Sequence, residues 1–471
     1  MHLGIDLGTS SVKVLLVDGD RAVAETSAPL SVQRPRDGWA EQDCESWVTA
    51  TRAAVAALDH DLSGLEGLAI AGHMHGACLV GADGTALRPC LLWNDTRASA
   101  EAAEWDDAEA RRVTGNIAFP GFTAPKVEWV RRHEPEVFAA TRLVLLPKDY
   151  LRLRLTGEAW SEMSDASGTA WLDVGARDWS DALLARGGLS RERMPRLAEG
   201  SEATARISAE GARLTGLPEG VPVAGGAGDN AAAAVGTGAV APGRGFVSLG
   251  TSGVLFVSSA SYDPDPATAV HTFAHAVPGT WHQMGVILAA TDALEWAARL
   301  TGRAAAELAS ADIAAPGRTT FLPYLGGERT PHNDAALRGT LLGIDHATDA
   351  AALGRAVMEG VAFALRDCRD ALAATGTEIG PLLAVGGGAR SEGWLRMVAT
   401  ALDHPLEVAA GASHGAALGA ARLARMAGGA GAEVAAPPRI ERVVEPVADL
   451  RGAYEDGVAR YRAAHAATRG L

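Results

Sequence analysis

Lysine is nearly absent from this chain of 471 residues: it occurs only at Lys13, Lys126 and Lys148, and none of the three follows a glycine. A Walker-type phosphate loop needs a Gly-Lys pair at its end and is thereby excluded, so any handling of a nucleoside triphosphate must rest on another device. Cysteine is scarce as well. Cys44, Cys78, Cys90 and Cys368 form no Cys-x-x-Cys pair and are too few to staple a chain of this size, which excludes a disulfide scaffold and points to a reducing compartment, the cytoplasm. Long apolar runs are missing: Ala-rich stretches such as Ala231 to Val235 and Gly415 to Ala427 are too short or are interrupted by Arg, which argues against a membrane span. The first residues enter a strand without a basic region and apolar core, so no secretory leader is expected. Positive charge is also in deficit. With 42 Lys and Arg against 57 Asp and Glu, the net charge of −15 argues against nucleic acid or an anionic membrane as the main partner.

What is present is a repeat. Leu7-Gly8-Thr9-Ser10-Ser11-Val12 returns, with one substitution, as Leu249-Gly250-Thr251-Ser252-Gly253-Val254. Each copy follows an apolar run and precedes another, so each reads as a hairpin with a Gly-Thr-Ser turn. Gly8 and Gly250 are expected to lend these turns backbone freedom. Small and hydroxylated residues at the tip leave N–H and O–H groups free for a phosphate chain, although a single copy would be no more than a hairpin turn. A repeat at a half-chain period suggests two similar domains facing each other, and the glycine-rich stretch before the second hairpin suggests a boundary near 240, giving domains 1–240 and 241–471.

The rest of the chain alternates strands and helices, as sheets with covered faces do. Strands are predicted at Leu3–Leu7, Lys13–Val17, Gly67–Ala71, Arg142–Leu146, Val221–Ala224, Gly245–Leu249, Val254–Ser258 and Leu382–Val385. Helices are predicted at Cys44–Leu58, Ala98–Arg112, Ala124–Arg132, Lys148–Thr156, Thr291–Thr301, Ala350–Ala374, Ser391–Leu402 and Ala416–Met426, with a last one from Asp449 to Ala467.

Three motifs imitate other chemistries. Gly236-Thr-Gly238 follows a helix rather than a strand and precedes Pro242, unlike a dinucleotide fingerprint. Gly411-Ala-Ser413-His-Gly415 fits a nucleophile elbow, but the only later histidine, His465, lies in the last helix, where a hydrolase triad has no use for it. His271 and His275 are spaced i, i+4 without the Glu and third ligand of a zinc site, and read as satisfied polar histidines.

Four features offer phosphoryl-transfer chemistry instead. Asp6 ends the first strand just before Thr9 and Ser10; its carboxylate either bonds its own turn or holds Mg²⁺ beside the phosphates. Asp229, in Gly225-Gly-Ala-Gly-Asp-Asn230, is either a helix N-cap or a proton acceptor at a helix mouth. Gly386-Gly387-Gly388 sits at a strand-to-helix turn, where bare backbone allows close contact with a nucleotide. His75, read alone, is a packed histidine or a ligand.

Taken in order, these segments resemble the FGGY carbohydrate kinases of the actin/hexokinase-like ATPase superfamily over essentially the whole chain. The carriers include Gly4 to Ser10, Pro35 to Asp43, Leu92 to Arg97, Leu146 to Leu151, Ser164 to Thr169, Gly228-Asp229-Asn230, Ser248 to Gly253, Phe321 to Pro331 and Gly386 to Ser391. Gly72-His73-Met74-His75-Gly76 is similar to the segment that marks the xylulose-phosphorylating branch, which has Gln where this chain has His73. The resemblance implies an α/β fold of two ribonuclease-H-like domains flanking a cleft, and ATP- and Mg²⁺-dependent phosphorylation of D-xylulose to D-xylulose 5-phosphate. It implies Asp229 as base, Asp6 as metal ligand, Met74, His75, Asp229 and Asn230 at the sugar, and Thr9, Ser10, Gly250, Thr251, Ser252, Gly387 and Gly388 at the nucleotide. The departure at His73 keeps 1-deoxy-D-xylulose, ribulose or a polyol open as the acceptor, and a non-kinase ATPase of the superfamily is the rival class. A homodimer is one assembly compatible with the family; the sequence itself selects none.

Overall fold

The computed structural model describes residues 1–410 and 414–470. It holds two seven-stranded sheets built on one plan. In the first, His2–Leu7 pairs antiparallel with Ser11–Asp18, which pairs antiparallel with Arg21–Pro29, while Gly67–Gly72 lies parallel on the other flank of His2–Leu7. In the second, Gly245–Leu249 pairs antiparallel with Gly253–Ser259, which pairs antiparallel with Trp281–Ile287, while Leu382–Val385 lies parallel on the other flank. The repeated Leu-Gly-Thr-Ser segment is thus the tip of the same central hairpin in each sheet.

Apolar alternation explains these strands. Leu3, Ile5 and Leu7 are fully buried, as are Val247 and Leu249 at the matching positions of the second hairpin. The helix Ala350–Ala374 forms where its stripe predicts, burying Leu353, Val357, Val361, Leu365 and Leu372 and starting at Asp349, whose carboxylate accepts from Ala352 N at 2.8 Å. Each fully buried Leu or Val there stabilises the fold by about 1.5–3 kcal/mol. The single helix expected over Ala98–Arg112 is two, Ser99–Trp105 and Ala108–Thr114. The Asp106-Asp107 pair breaks it: Asp107 turns extended and caps the second helix at Ala110 N, 2.9 Å away.

One helix ties the halves together. Gly415–Ala427, late in the chain, packs on the first sheet rather than the second. A Cβ on Gly4 would meet the carbonyl oxygen of Ala417 at 1.9 Å, and one on Gly419 would meet that of Ala232 at 1.8 Å. Only glycine permits either approach. Arg422 adds bonds to the carbonyls of Val235 and Gly236 at 2.9 and 3.0 Å. Of the elbow-like motif, residues 411–413 lie outside the described residues; His414 bonds Glu25. Among the described residues no helix is long and apolar enough to cross a membrane.

Candidate active site

Asp6 is the next-to-last residue of its strand and lies directly opposite Lys13 in the hairpin register. It stands close to Asp229: burial first, then the charge of Asp229, raises its pKa to about 6 against the pull of Lys13. Asp229 is likewise raised to about 6, by burial. Two carboxylates from separate segments therefore share one poorly solvated place, the usual signature of a site that manipulates protons or cations.

Of the two sequence readings of Asp229, the N-cap is not the one the helix uses. Gly228 occupies that position, and Asp229 is the first helical residue. Its Oδ1 accepts from the Asn230 backbone N at 2.7 Å and from Asn230 Nδ2 at 3.0 Å. The preceding peptide is held from behind. Gly228 N donates to Ser164 Oγ at 3.0 Å, and Ser164 Oγ donates to Glu162, which also receives Ser164 N at 2.7 Å and Asp165 N at 2.8 Å. Lys148, with no exposed surface, closes the cluster with Asp149, Glu162 and Asp165. The segments Leu146 to Leu151 and Ser164 to Thr169 thus set the backbone that carries Asp229.

Beside Asp229 is a cavity of about 140 Å³ lined by Met74, His75, Trp93, Asn230, Phe273 and Arg329, with Ser252, Val254, His271, Met284 and Val286 completing the wall. It is small beside the roughly 300–1,000 Å³ of drug-sized ligand sites, on the scale of a short sugar. His75 holds a left-handed backbone, φ +71°, a strained conformation for a side chain of this kind. It is locked there by three contacts: Nδ1 donates to Gly168 O at 2.8 Å, its carbonyl accepts from Thr123 Oγ1 at 2.9 Å, and the ring stacks on Phe122 at 4.6 Å. A Cβ on Gly168 would lie 2.3 Å from Nδ1. Burial, then the charges of Lys126 and Arg329, depress His75 to about 3, so the ring is neutral and Nε2 is an acceptor.

The hairpin tips are open. Ser10 and Thr251 are exposed, and Thr9 and Ser252 are partly so. Trp93 Nε1 donates to Thr9 Oγ1 at 3.1 Å, linking the cavity wall to the first tip, and Gln42 Nε2 supports the Thr9 carbonyl at 3.0 Å. The second tip caps a helix: carbonyls of Thr251 and Gly250 accept from Ala290 N and Thr291 N at 2.8 and 2.9 Å. Neither Gly8 nor Gly250 has positive φ; that freedom is needed at Gly386, φ +92°, where a Cβ would meet the Leu249 carbonyl at 2.7 Å. Gly388 is pinned likewise against Leu249 and Trp394, so of the three glycines Gly387 alone lies open.

Two residues of the recognised segments lie apart from the cavity. Asp95, in the segment Leu92 to Arg97, has no exposed surface and is consumed by Arg97, at 2.9 and 2.7 Å, and Ala40 N, at 2.7 Å, so it offers no second base. His73 does not line the cavity; it is buried at the edge of Trp47, ring centroids 5.9 Å apart. Sequence reading missed Arg329 and His271 as cavity residues. The first stood in a recognised segment without a role, and the second was dismissed with a zinc-like spacing that places it on a strand, His271–Ala274.

The comparisons agree with this geometry. The model for the N-terminal domain of the FGGY carbohydrate kinases matches residues 1–236, and that for the C-terminal domain matches residues 245–428. The xylulose kinase of Escherichia coli strain K12 is 49% identical over 436 residues, 91% of this chain and 90% of that one. The xylulose kinase of Bacillus subtilis strain 168 is 36% identical over 91% and 88%. Among solved structures, a xyloylose kinase from Brucella ovis superposes with a TM-score of 0.95 at 52% identity, covering 99% of this chain and 98% of that one. A glycerol kinase from Plasmodium falciparum solved with ADP, 18% identical, shares the fold with a TM-score of 0.89 over 100% and 98%. Two sheets of one plan, a carboxylate pair beside a sugar-sized cavity and these matches lead to one assignment: the chain belongs to the FGGY family of carbohydrate kinases.

Proposed function

We propose that this chain is an ATP-dependent xylulose kinase that transfers the γ-phosphoryl group to the terminal hydroxyl of D-xylulose, giving D-xylulose 5-phosphate. The observation that carries the reading is the Asp229 carboxylate at the edge of the small cavity, beside Asp6 and near the first of two matching hairpins. Asp229 accepts the proton of the attacking hydroxyl. The tips Thr9-Ser10 and Gly250-Thr251-Ser252 hold the phosphate chain, and Gly387, the open one of the three glycines, borders the nucleotide. Met74 packs the carbon chain, while His75 Nε2 and Asn230 receive and orient hydroxyls. In phosphoryl transfer of this kind the protein chiefly positions reactants and neutralises charge.

Mg²⁺ fits the donor set. No group of three or more protein ligands for a metal occurs among the described residues, and Mg²⁺ typically takes one or two carboxylates and completes its shell with water and phosphate oxygens. Asp6, which makes no ion pair among the described residues, would be that carboxylate, and an ion held there would supply neutralisation of phosphate charge. We assign the two domains to 1–240 and 241–471 and the protein to the cytoplasm, where four buried free thiols stay reduced.

A coupled ATP-consumption assay across ketoses and polyols tests the reading. D-Xylulose is expected to give the highest kcat/KM; a better 1-deoxy-D-xylulose, ribulose or polyol substrate would reassign the acceptor.

A further inference from the structure

The loop that delivers Asp229 is gripped at both ends by one helix. Residues 225–228 join the strand Pro222–Ala224 to the helix that opens with Asp229, and all but Ala227 are glycine. Such a loop has no side chains with which to fix its own path. Lys148 and Arg152 lie four residues apart on the helix Pro147–Thr156, hence on one face of it, and neither has any exposed surface. Arg152 takes the start of the loop: Nη1 donates to Ala224 O at 2.8 Å, and Nη2 donates to Gly225 O. Lys148 reaches the end of it through two residues. Its Nζ lies 3.5 Å from Glu162 Oε1, Ser164 Oγ donates to Glu162 Oε2 at 2.8 Å, and Gly228 N donates to Ser164 Oγ at 3.0 Å. The helix itself is fixed by contact. A Cβ on Gly72 would meet Lys148 Cβ at 2.7 Å, and one on Gly76 would meet Pro147 Cγ at 2.4 Å. Its first turn is thus seated on the two glycines that bracket Met74 and His75.

Stability alone does not call for this arrangement, because buried charges commonly return less than apolar side chains of the same volume. Arg152 makes no ion pair among the described residues; it donates to two peptide carbonyls and, at 2.6 Å, to Thr204 Oγ1, and its Nε has no partner. What the cluster does fix is the path of the peptide that precedes Asp229. A base must lie within hydrogen-bond reach of the hydroxyl it deprotonates, and a misplacement of about 1 Å can cost about 10²-fold in rate. Resting on the reading of Asp229 as that base, we infer that Ser164 and Arg152 are positioning residues for phosphoryl transfer, which act on its rate through the Asp229 carboxylate.

The test is a double-mutant cycle. Ser164→Ala and Arg152→Lys are each made in the parent and in Asp229→Asn, and kcat, the KM for D-xylulose and the KM for ATP are measured well below each melting temperature. In the parent, Ser164→Ala should lower kcat about 10–100-fold, with both KM values within about threefold. Arg152→Lys, whose single ammonium does not match a guanidinium fork on two carbonyls, should lower kcat as well. In Asp229→Asn, where no carboxylate remains to be aimed, either change should cost less than about threefold. Equal losses in the two backgrounds, an unchanged kcat in the parent, or a parallel rise in the ATP KM would overturn the inference. Should Ser164→Ala fail to fold in a thermal melt, Arg152→Lys decides by the same comparison. Parental kcat in Asp229→Asn is a different failure: it brings down the reading of Asp229 as base, before the cycle is closed.

Discussion

Asp229 is the residue on which chemistry and folding can be separated. Its carboxylate accepts two bonds from Asn230, and an asparagine oxygen would accept them equally well, but it would take no proton. Asp229→Asn is therefore expected to melt near the parent temperature, to bind D-xylulose and ATP, and to lose about 10²–10⁴-fold in kcat, the usual worth of a general base. Single-turnover kinetics near the parental rate would show that Asp229 serves only the helix. The raised pKa adds a pH signature. A carboxylate held at about 6 works as a base only when ionised, so kcat/KM should be flat above pH 7 and fall about tenfold per pH unit once below 6. A profile flat to pH 5 would contradict the assignment. At this scale Asp6, Asp229, Met74 and His75 were legible because each sits in a short contiguous segment whose neighbours announce it. Arg329 and His271 were not: they lie 58 residues apart, and their partnership exists only once the strand His271–Ala274 and the loop after Thr320–Leu322 fold together.

Among the elements, the two hairpins were the most legible, since alternation and a repeated turn are local properties of sequence. Their third strands, Arg21–Pro29 and Trp281–Ile287, were not. The first is polar and alanine-rich because it lies at a sheet edge; the second mixes Trp, His and Gln with small residues. The three glycines after Leu382–Val385 were read as nucleotide contact, yet Gly386 and Gly388 serve packing against the second hairpin. This separates two substitutions. Thr251→Ala removes a hydroxyl from an exposed tip and should raise the ATP KM several-fold without moving the melting temperature. Gly386→Ala forces a Cβ against the Leu249 carbonyl at positive φ, so it should destabilise the fold by about 1–3 kcal/mol and weaken ATP binding through the displaced tip. A Gly386→Ala protein as stable as the parent would remove that coupling.

Across the whole molecule, alternating strands and helices made a two-sheet α/β fold legible, while the path of the chain between the sheets was not. Nothing local in the amphipathic pattern of Gly415–Ala427 tells which sheet it covers; the backbone contacts of Gly4 and Gly419 decide it. Gly419→Val should accordingly cost at least about 1–3 kcal/mol, as overpacking does, read as a lower melting temperature and a lower denaturant midpoint; an unchanged midpoint would place the helix elsewhere. The same fold serves ATP-using proteins with quite different tasks, so the central claim is about coupling. The most direct measurement incubates the protein with ATP and Mg²⁺, with and without D-xylulose, and follows ADP by a coupled assay and the sugar product by mass spectrometry. One ADP formed for each D-xylulose 5-phosphate, with little turnover when sugar is withheld, is the predicted result. ATP hydrolysis at the same rate with and without any ketose or polyol, and no phosphorylated sugar, would contradict it.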